Sequence, residues 1–162
     1  AILITNSNVK HELTGGQYAK RRAECDAALA KIGRPGWREV SMKDWEQAQA
    51  KLSEVEARRA KHVISEMART RQAAESIAKG DWARLGALMD ASHQSLHQDF
   101  EVSCDELNAL VEIARGIGQK GGVIGSRMTG GGFGGCTVTL AQTDQLPSIA
   151  RQIHVLSSAL VG

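Results

Sequence analysis

The segment Thr129-Gly130-Gly131-Gly132-Phe133-Gly134-Gly135-Cys136 is where this sequence most plainly offers chemistry. Residues without Cβ let successive backbone N–H groups turn toward one point and let a ligand approach the main chain. Phosphate oxygens are the usual occupant of such a nest. Gly130, Gly132 and Gly135 formally fit G-x-G-x-x-G. The dinucleotide-binding form of that pattern needs a helix straight after the loop and an acid about 20 residues further on. Here the stretch Thr137-Val138-Thr139-Leu140 reads as a strand instead, and the acid is absent. A Walker loop is excluded because no Gly-Lys-Ser/Thr occurs, and a protein kinase because there is neither His-Arg-Asp nor Asp-Phe-Gly. A plain hairpin turn is the competing reading. It is a costly one, since each glycine loses about 0.5–1 kcal/mol more backbone entropy than alanine.

Other residue sets are weaker candidates. Tyr18 follows Gly15-Gly16, which leave helix amides uncovered; that suits a nearby hydroxyl or anion, and equally a tight entry turn. Asp90, His93 and His97 are spaced by three and four residues and share one helix face, a possible metal set. His93-Gln94-Ser95-Leu96-His97 approaches H-E-x-x-H, but Gln94 cannot act as a general base. The favoured reading has His93 ordering a neighbouring loop and His97 solvated. Cys136 borders the glycines, yet no His or Asp lies near it and it alternates in phase with Val138 and Leu140, so it reads as a buried strand cysteine. Arg69-Thr70-Arg71 interrupts an apolar stripe and suggests an ion pair at a domain seam, with phosphate contact as the alternative. The mixed charges of residues 51–61 read as a solvated helix face.

The elements that must position these residues are mostly helical. Residues 1–9 read as a strand ending in Thr5-Asn6-Ser7-Asn8. Thr14 with Gln17 fits a capping box, with Leu13 and Tyr18 as a hydrophobic staple; Ser41 with Asp44 and Ser103 with Glu106 repeat the arrangement. Helical stripes run through Ala60, Val63, Ile64, Met67, Ala74, Ile77 and Ala78, then Leu85, Leu88, Met89 and Leu96, then Leu107, Leu110, Val111, Ala114 and Ile117. Gly80 separates the first two as a C-terminal cap. After Gly116 the periodicity changes, predicting strands over 123–128 and 136–141 and a last helix over about 145–158, entered near Pro147. The expected fold class is α+β, a helix-rich two-layer domain with a small antiparallel sheet.

The composition sets outer bounds. At 162 residues the chain suits one domain to a domain and a half. With 42% hydrophobic residues, 23% charged residues and a formal charge of +2, it is neither a disordered tail nor a basic nucleic-acid arm. Three cysteines make no disulfide framework, which favours a reducing compartment and a cytoplasmic location. No apolar run approaches the roughly 20 residues of a membrane span, and no signal peptide is legible, so no membrane partner is expected. The chain opens without Met on Ala1-Ile2-Leu3-Ile4, which reads as an interior strand of something larger.

The stretch from Gly125-Ser126-Arg127-Met128 through the glycine segment to Cys136 resembles the third motif of the GHMP small-molecule kinases, in the wording of the galactokinases. Three further stretches match in order: Asn6-Ser7-Asn8-Val9-Lys10-His11, then Tyr18 with Arg21-Arg22 and Cys25, then Ser92-His93-Gln94-Ser95-Leu96 leading to Asp99-Phe100-Glu101-Val102-Ser103. The resemblance implies transfer of the ATP γ-phosphoryl group to the anomeric hydroxyl of galactose, with Mg²⁺ on the phosphates. It implies that residues 1–162 form the carboxy-terminal domain, with 1–14 a strand shared with an amino-terminal domain of the same kinase. Tyr18 matches a tyrosine that touches the sugar. Gly130, Gly131, Gly132, Gly134 and Gly135 form a loop beside the nucleotide phosphates. The resemblance places the family's Gly-Leu-Ser-Ser-Ser loop, its Asp base with partner Arg, and its sugar-recognition acids upstream of Ala1. This chain alone is therefore expected to lack catalytic residues and to be incomplete for turnover. Because the residues that select the sugar lie upstream, an N-acetylgalactosamine kinase or a kinase-like galactose and ATP sensor stays open as an alternative.

Overall fold

Three strands and six α-helices follow one another along the residues that the computed structural model describes, 1–9 and 16–161. They run β1 (Ile2–Asn6), α1 (Gly16–Ile32), α2 (Met42–Ala48), α3 (Glu54–Lys79), α4 (Trp82–Gln98), α5 (Asp105–Ile117), β2 (Val123–Thr129), β3 (Cys136–Ala141) and α6 (Leu146–Val161). The helix-rich α+β expectation holds. The first strand is shorter than residues 1–9 and ends at Asn6. The expected capping box at Thr14 and the Leu13 side of the staple lie outside the described residues.

Local chemistry explains most of the helix ends. Ser41 accepts from the Asp44 amide and Asp44 accepts from the Ser41 amide, the predicted reciprocal box. A second box, not anticipated from the sequence, opens α3 at Ser53 and Glu56. Ser53→Ala is expected to cost about 1 kcal/mol, read as a lower denaturation midpoint at unchanged slope. Gly80 closes α3 in the left-handed region at φ 65°, as expected. The box expected at Ser103 and Glu106 does not form. Cys104 is the N-cap, without a side-chain hydrogen bond, and the Ser103 hydroxyl is spent on Asn108 Oδ1 at 2.7 Å.

The sheet has the order β1-β3-β2, antiparallel throughout, with Ile4 opposite Val138 and Arg127 also opposite Val138. Its helix-covered face is the reverse of the one that the alternation suggested. Thr137, Thr139 and Ala141 are buried, whereas Cys136, Val138 and Leu140 are half-buried beside exposed Ile2 and Ile4. Burying the threonines is tolerable because their hydroxyls can be satisfied: Thr139 Oγ1 lies 2.8 Å from Ser126 Oγ. The stripe on α3 is also shorter than its pattern. Ala60 and Ile64 are buried, but Ala74, Ile77 and Ala78 at the far end of the helix are exposed.

Two clusters form the core. Leu110, Ala114, Val123, Ala141, Ile149 and Ile153 join α5 and α6 to the sheet. Leu96, Val102, Leu107 and Met128, with Phe100 and Phe133 against them, fill the space beneath the β2–β3 connection. Helix α4 meets β2 backbone to backbone. A Cβ at Gly86 would overlap the Ile124 carbonyl, and one at Gly125 would stand 2.7 Å from the Gly86 Cα. Among the described residues no helix is long and apolar enough to cross a membrane.

Candidate functional site

The glycine segment is the connection between β2 and β3. Gly130, Gly132, Gly134 and Gly135 have positive φ (88°, 87°, 128° and 89°), as does Phe133 at 59°. Glycine suits four of these positions because only it enters that region without a Cβ penalty. Two of them are also steric necessities. A Cβ on Gly132 would overlap the Val102 carbonyl, and one on Gly134 would lie 2.8 Å from the Val9 carbonyl. Gly130 and Gly131 are exposed, and a Cβ added at either would meet nothing within 4 Å. One loop amide is consumed internally, Phe133 N–H donating to Val102 O at 2.5 Å, and the Gly135 carbonyl accepts from Ser7 N–H at 2.8 Å. The amides of Gly130, Gly131, Gly132, Gly134 and Gly135 have no acceptor among the described residues. Those of the exposed Gly130 and Gly131 are placed to meet an anion.

The turn between α4 and α5, residues 99–102, straps the loop from below. Its four successive carbonyls are all taken. Arg59 Nη1 donates to Asp99 O, Arg21 Nε to Phe100 O at 2.7 Å, Arg21 Nη2 to Glu101 O at 2.9 Å, and Phe133 N–H to Val102 O. Arg59 is 1% exposed, and its remaining donors reach Glu24 Oε2 at 2.7 Å and the Glu101 carboxylate. The hydrogen bond and charge of Arg59 hold the Glu101 carboxyl below its ordinary range. Burial would raise Glu24, but Arg59, with the charges of Arg21 and Lys20, outweighs it and lowers that group as well. Arg21 also lies over the Phe133 ring, 5.9 Å from its centroid.

Helix α1 therefore abuts the strap and the loop through Arg21. Tyr18 is one turn earlier on the same helical face and is 71% exposed. The structure thus brings the helix bearing Tyr18 and the glycine loop to one end of the molecule.

The remaining candidates take structural roles. His93 is buried on α4, and its Nδ1 accepts the Met128 N–H at 3.2 Å. Because β2 is an edge strand, that amide points away from β3, so His93 satisfies a sheet edge rather than the loop that the sequence suggested. Burial pushes its pKa down to about 4, with the Arg115 and His97 charges acting in the same direction. His97 is exposed and meets Asn108, while Asp90 faces Arg115 at 3.1 Å as an ion pair without an aligned hydrogen bond. Among the described residues no group of three or more His, Cys, Asp or Glu could hold a metal. Cys136 is half-buried rather than buried. Arg69 pairs within its own helix with Glu66 and Ser65, and Thr70 and Arg71 are exposed.

The charged run at 51–61 is not simply a solvated face, because it contains the buried Arg59. Arg21, Glu24, Arg59 and Glu101 are the residues that sequence reasoning missed. A signal was available: Arg59 sits beside Ala60 at the start of the α3 stripe, in phase with Val63 and Glu66, where a solvated arginine has no place.

Residues 73–154 match the family described as GHMP kinases C terminal. The chain is 48% identical to the galactokinase of Homo sapiens over 154 residues, which cover 95% of this chain and 38% of that protein. It is 46% identical to the galactokinase of Bos taurus over the same lengths. Among solved structures, Lactococcus lactis galactokinase complexed with galactose superposes with a TM-score of 0.91 at 32% identity, covering 99% of this chain and 42% of that one. L. major mevalonate kinase in complex with R-mevalonate superposes with a TM-score of 0.58 at 26% identity, covering 95% and 37%. The chain spans about two fifths of the length of these relatives.

Proposed function

Because this chain belongs to the GHMP kinases, through a match to their carboxy-terminal domain over residues 73–154, we propose that it is the carboxy-terminal part of an ATP-dependent galactokinase. The observation that carries this reading is the identity to galactokinases across 95% of the chain, which includes both the glycine loop and Tyr18. In the reaction the anomeric oxygen of galactose attacks the γ-phosphorus. The bond from that phosphorus to the bridging oxygen breaks, ADP leaves, and the sugar hydroxyl gives up its proton. Catalysis of this kind is mostly positioning and charge stabilisation.

The chain's share of that work is to shape one wall of the site. The amides around Gly130 to Gly135 suit a phosphate group at the loop, and a Cβ-free surface at Gly131 lets it approach. Tyr18 offers the sugar a ring face and a hydroxyl. A Mg²⁺ ion would neutralise charge on the transferred phosphoryl group. In this reading the ion would be held mainly by the nucleotide phosphates and the amino-terminal domain of the kinase. On the same reading the site is shared by the two domains of the kinase, and the base belongs to the other one.

In the longer protein that carries this chain, galactose-dependent release of ADP from Mg-ATP is expected. Gly131→Ala is accommodated by the fold, since nothing stands within 4 Å of its Cβ and its φ is not in the left-handed region. It is expected to raise the KM for ATP about tenfold by crowding the ligand, with the KM for galactose unchanged. Tyr18→Ala is expected to do the reverse. An ATP KM untouched by Gly131→Ala would remove the loop from the nucleotide site.

A further inference from the structure

We propose that the 99–102 strap, locked by the buried Arg59, sets the position of the glycine loop, which makes Arg59 a positioning residue for the nucleotide. This inference rests on the phosphate-side reading of the loop given above.

The geometry points to it in three ways. First, the strap is over-determined: each of its four carbonyls has a donor, and these donors come from α1, α3 and the glycine loop itself. Second, strap and loop meet without slack. Gly132 lies so close to Val102 that a single methyl group would overlap its carbonyl, and Phe133 N–H donates to the same oxygen. Third, backbone strain gathers at this contact. Only three non-glycine residues among those described have positive φ, and two of them lie at the Val102–Phe133 hydrogen bond: Phe133 at 59°, its donor, and Glu101 at 54°, next to its acceptor. Such conformations persist where the surroundings impose them, and they concentrate at working sites.

Arg59 is the keystone because one planar fork serves three anchors at once, the Asp99 carbonyl and the carboxylates of Glu24 and Glu101. Lysine keeps the charge but cannot span the three. If the fork is lost, the strap relaxes, Val102 O moves, and the loop amides lose their alignment without any change to a residue that touches ligand.

The test uses the longer protein that carries this chain, with hydrogen exchange of the peptide covering residues 130–136 and steady-state kinetics as readouts. Arg59→Lys is expected to speed exchange of the Phe133 amide, the loop amide that Val102 O holds, and to raise the KM for ATP, each by about tenfold, while the KM for galactose stays near its starting value. Glu101→Gln, at a half-exposed side chain, should move both readouts in the same direction by less, and it carries the test if Arg59→Lys does not fold. Ile149→Val, a core change remote from the strap, controls for lost stability: at a similar fall in Tm it should leave loop exchange and the ATP KM alone. Equal effects of Ile149→Val and Arg59→Lys at matched Tm overturn the proposal, as do unchanged exchange and ATP KM in the strap variants. Gly131→Ala separates the two readings. A raised ATP KM there, with no response in the strap variants, rejects only the positioning role; no response in Gly131→Ala rejects the nucleotide site itself.

Discussion

Gly86→Ala is expected to destabilise the protein by about 3 kcal/mol or more, even though alanine is the better helix former by about 1 kcal/mol. In an isolated α4 the change would help. In the folded protein the new methyl group would overlap the carbonyl of Ile124, and the facing Gly125 lies so close that its own Cβ would stand 2.7 Å from the Gly86 Cα. Backbone atoms on both sides leave nothing flexible to yield. Helix α4 must lift away from β2, and with it go the His93–Met128 hydrogen bond that satisfies the sheet edge and the packing of Leu96 on Met128. A larger residue such as Leu is expected to give no folded protein. Equilibrium denaturation of Gly86→Ala beside the parent measures the loss; a variant as stable as its parent would show that the helix and strand can separate freely.

Acidification from pH 7 to pH 5 is expected to cost about 3 to 4 kcal/mol through His62 and His93 together. Burial pushes both down to about 4 from an ordinary value of 6.5. His62 stacks on Phe100 with ring centroids 4.4 Å apart, and its Nδ1 lies 2.9 Å from Ser95 Oγ. Glu66 and Asp99 favour its charged form and Arg69 and Arg127 oppose it, but desolvation dominates. His93 must keep Nδ1 unprotonated to accept the Met128 amide. Both folded pKa values are depressed, so the unfolded chain takes up protons first. The stabilisation is full above about pH 6.5 and drains away as the pH falls toward the folded values. The carboxylates Glu24, Glu66 and Glu101, also lowered, add their losses only below their ordinary range near 4.3, so the two windows are distinct. Denaturation midpoints across pH 5 to 7 read the effect, and His93→Asn, which keeps a neutral acceptor, should remove about half of the slope. A flat profile over that range would mean that both rings ionise in place.

Much of the architecture was legible because it is written in local chemistry. The turn at Gly80, the capping box at Ser41, the amphipathic period of α5 and the two strands around the glycines follow from neighbouring residues, and these are where reading and structure agree. The failures share a cause. Ser103 gave way as a capping residue because Asn108 took its hydroxyl. The alternation of β3 was assigned to the wrong face because threonine looks polar until Ser126 stands opposite Thr139. Arg59 passed for a surface charge because its three partners come from positions 24, 99 and 101.

The sequence by itself therefore determined that residues 130–135 form a connection nearly free of side chains, between two strands. Tertiary structure alone decided how that run is held. Glycine confers freedom, and freedom has no preferred geometry; the loop's shape comes from the Val102 carbonyl beneath it and, through residues 99–102, from two arginines on helices distant in the chain. Contacts of that range depend on where whole elements pack, which local periodicity does not encode.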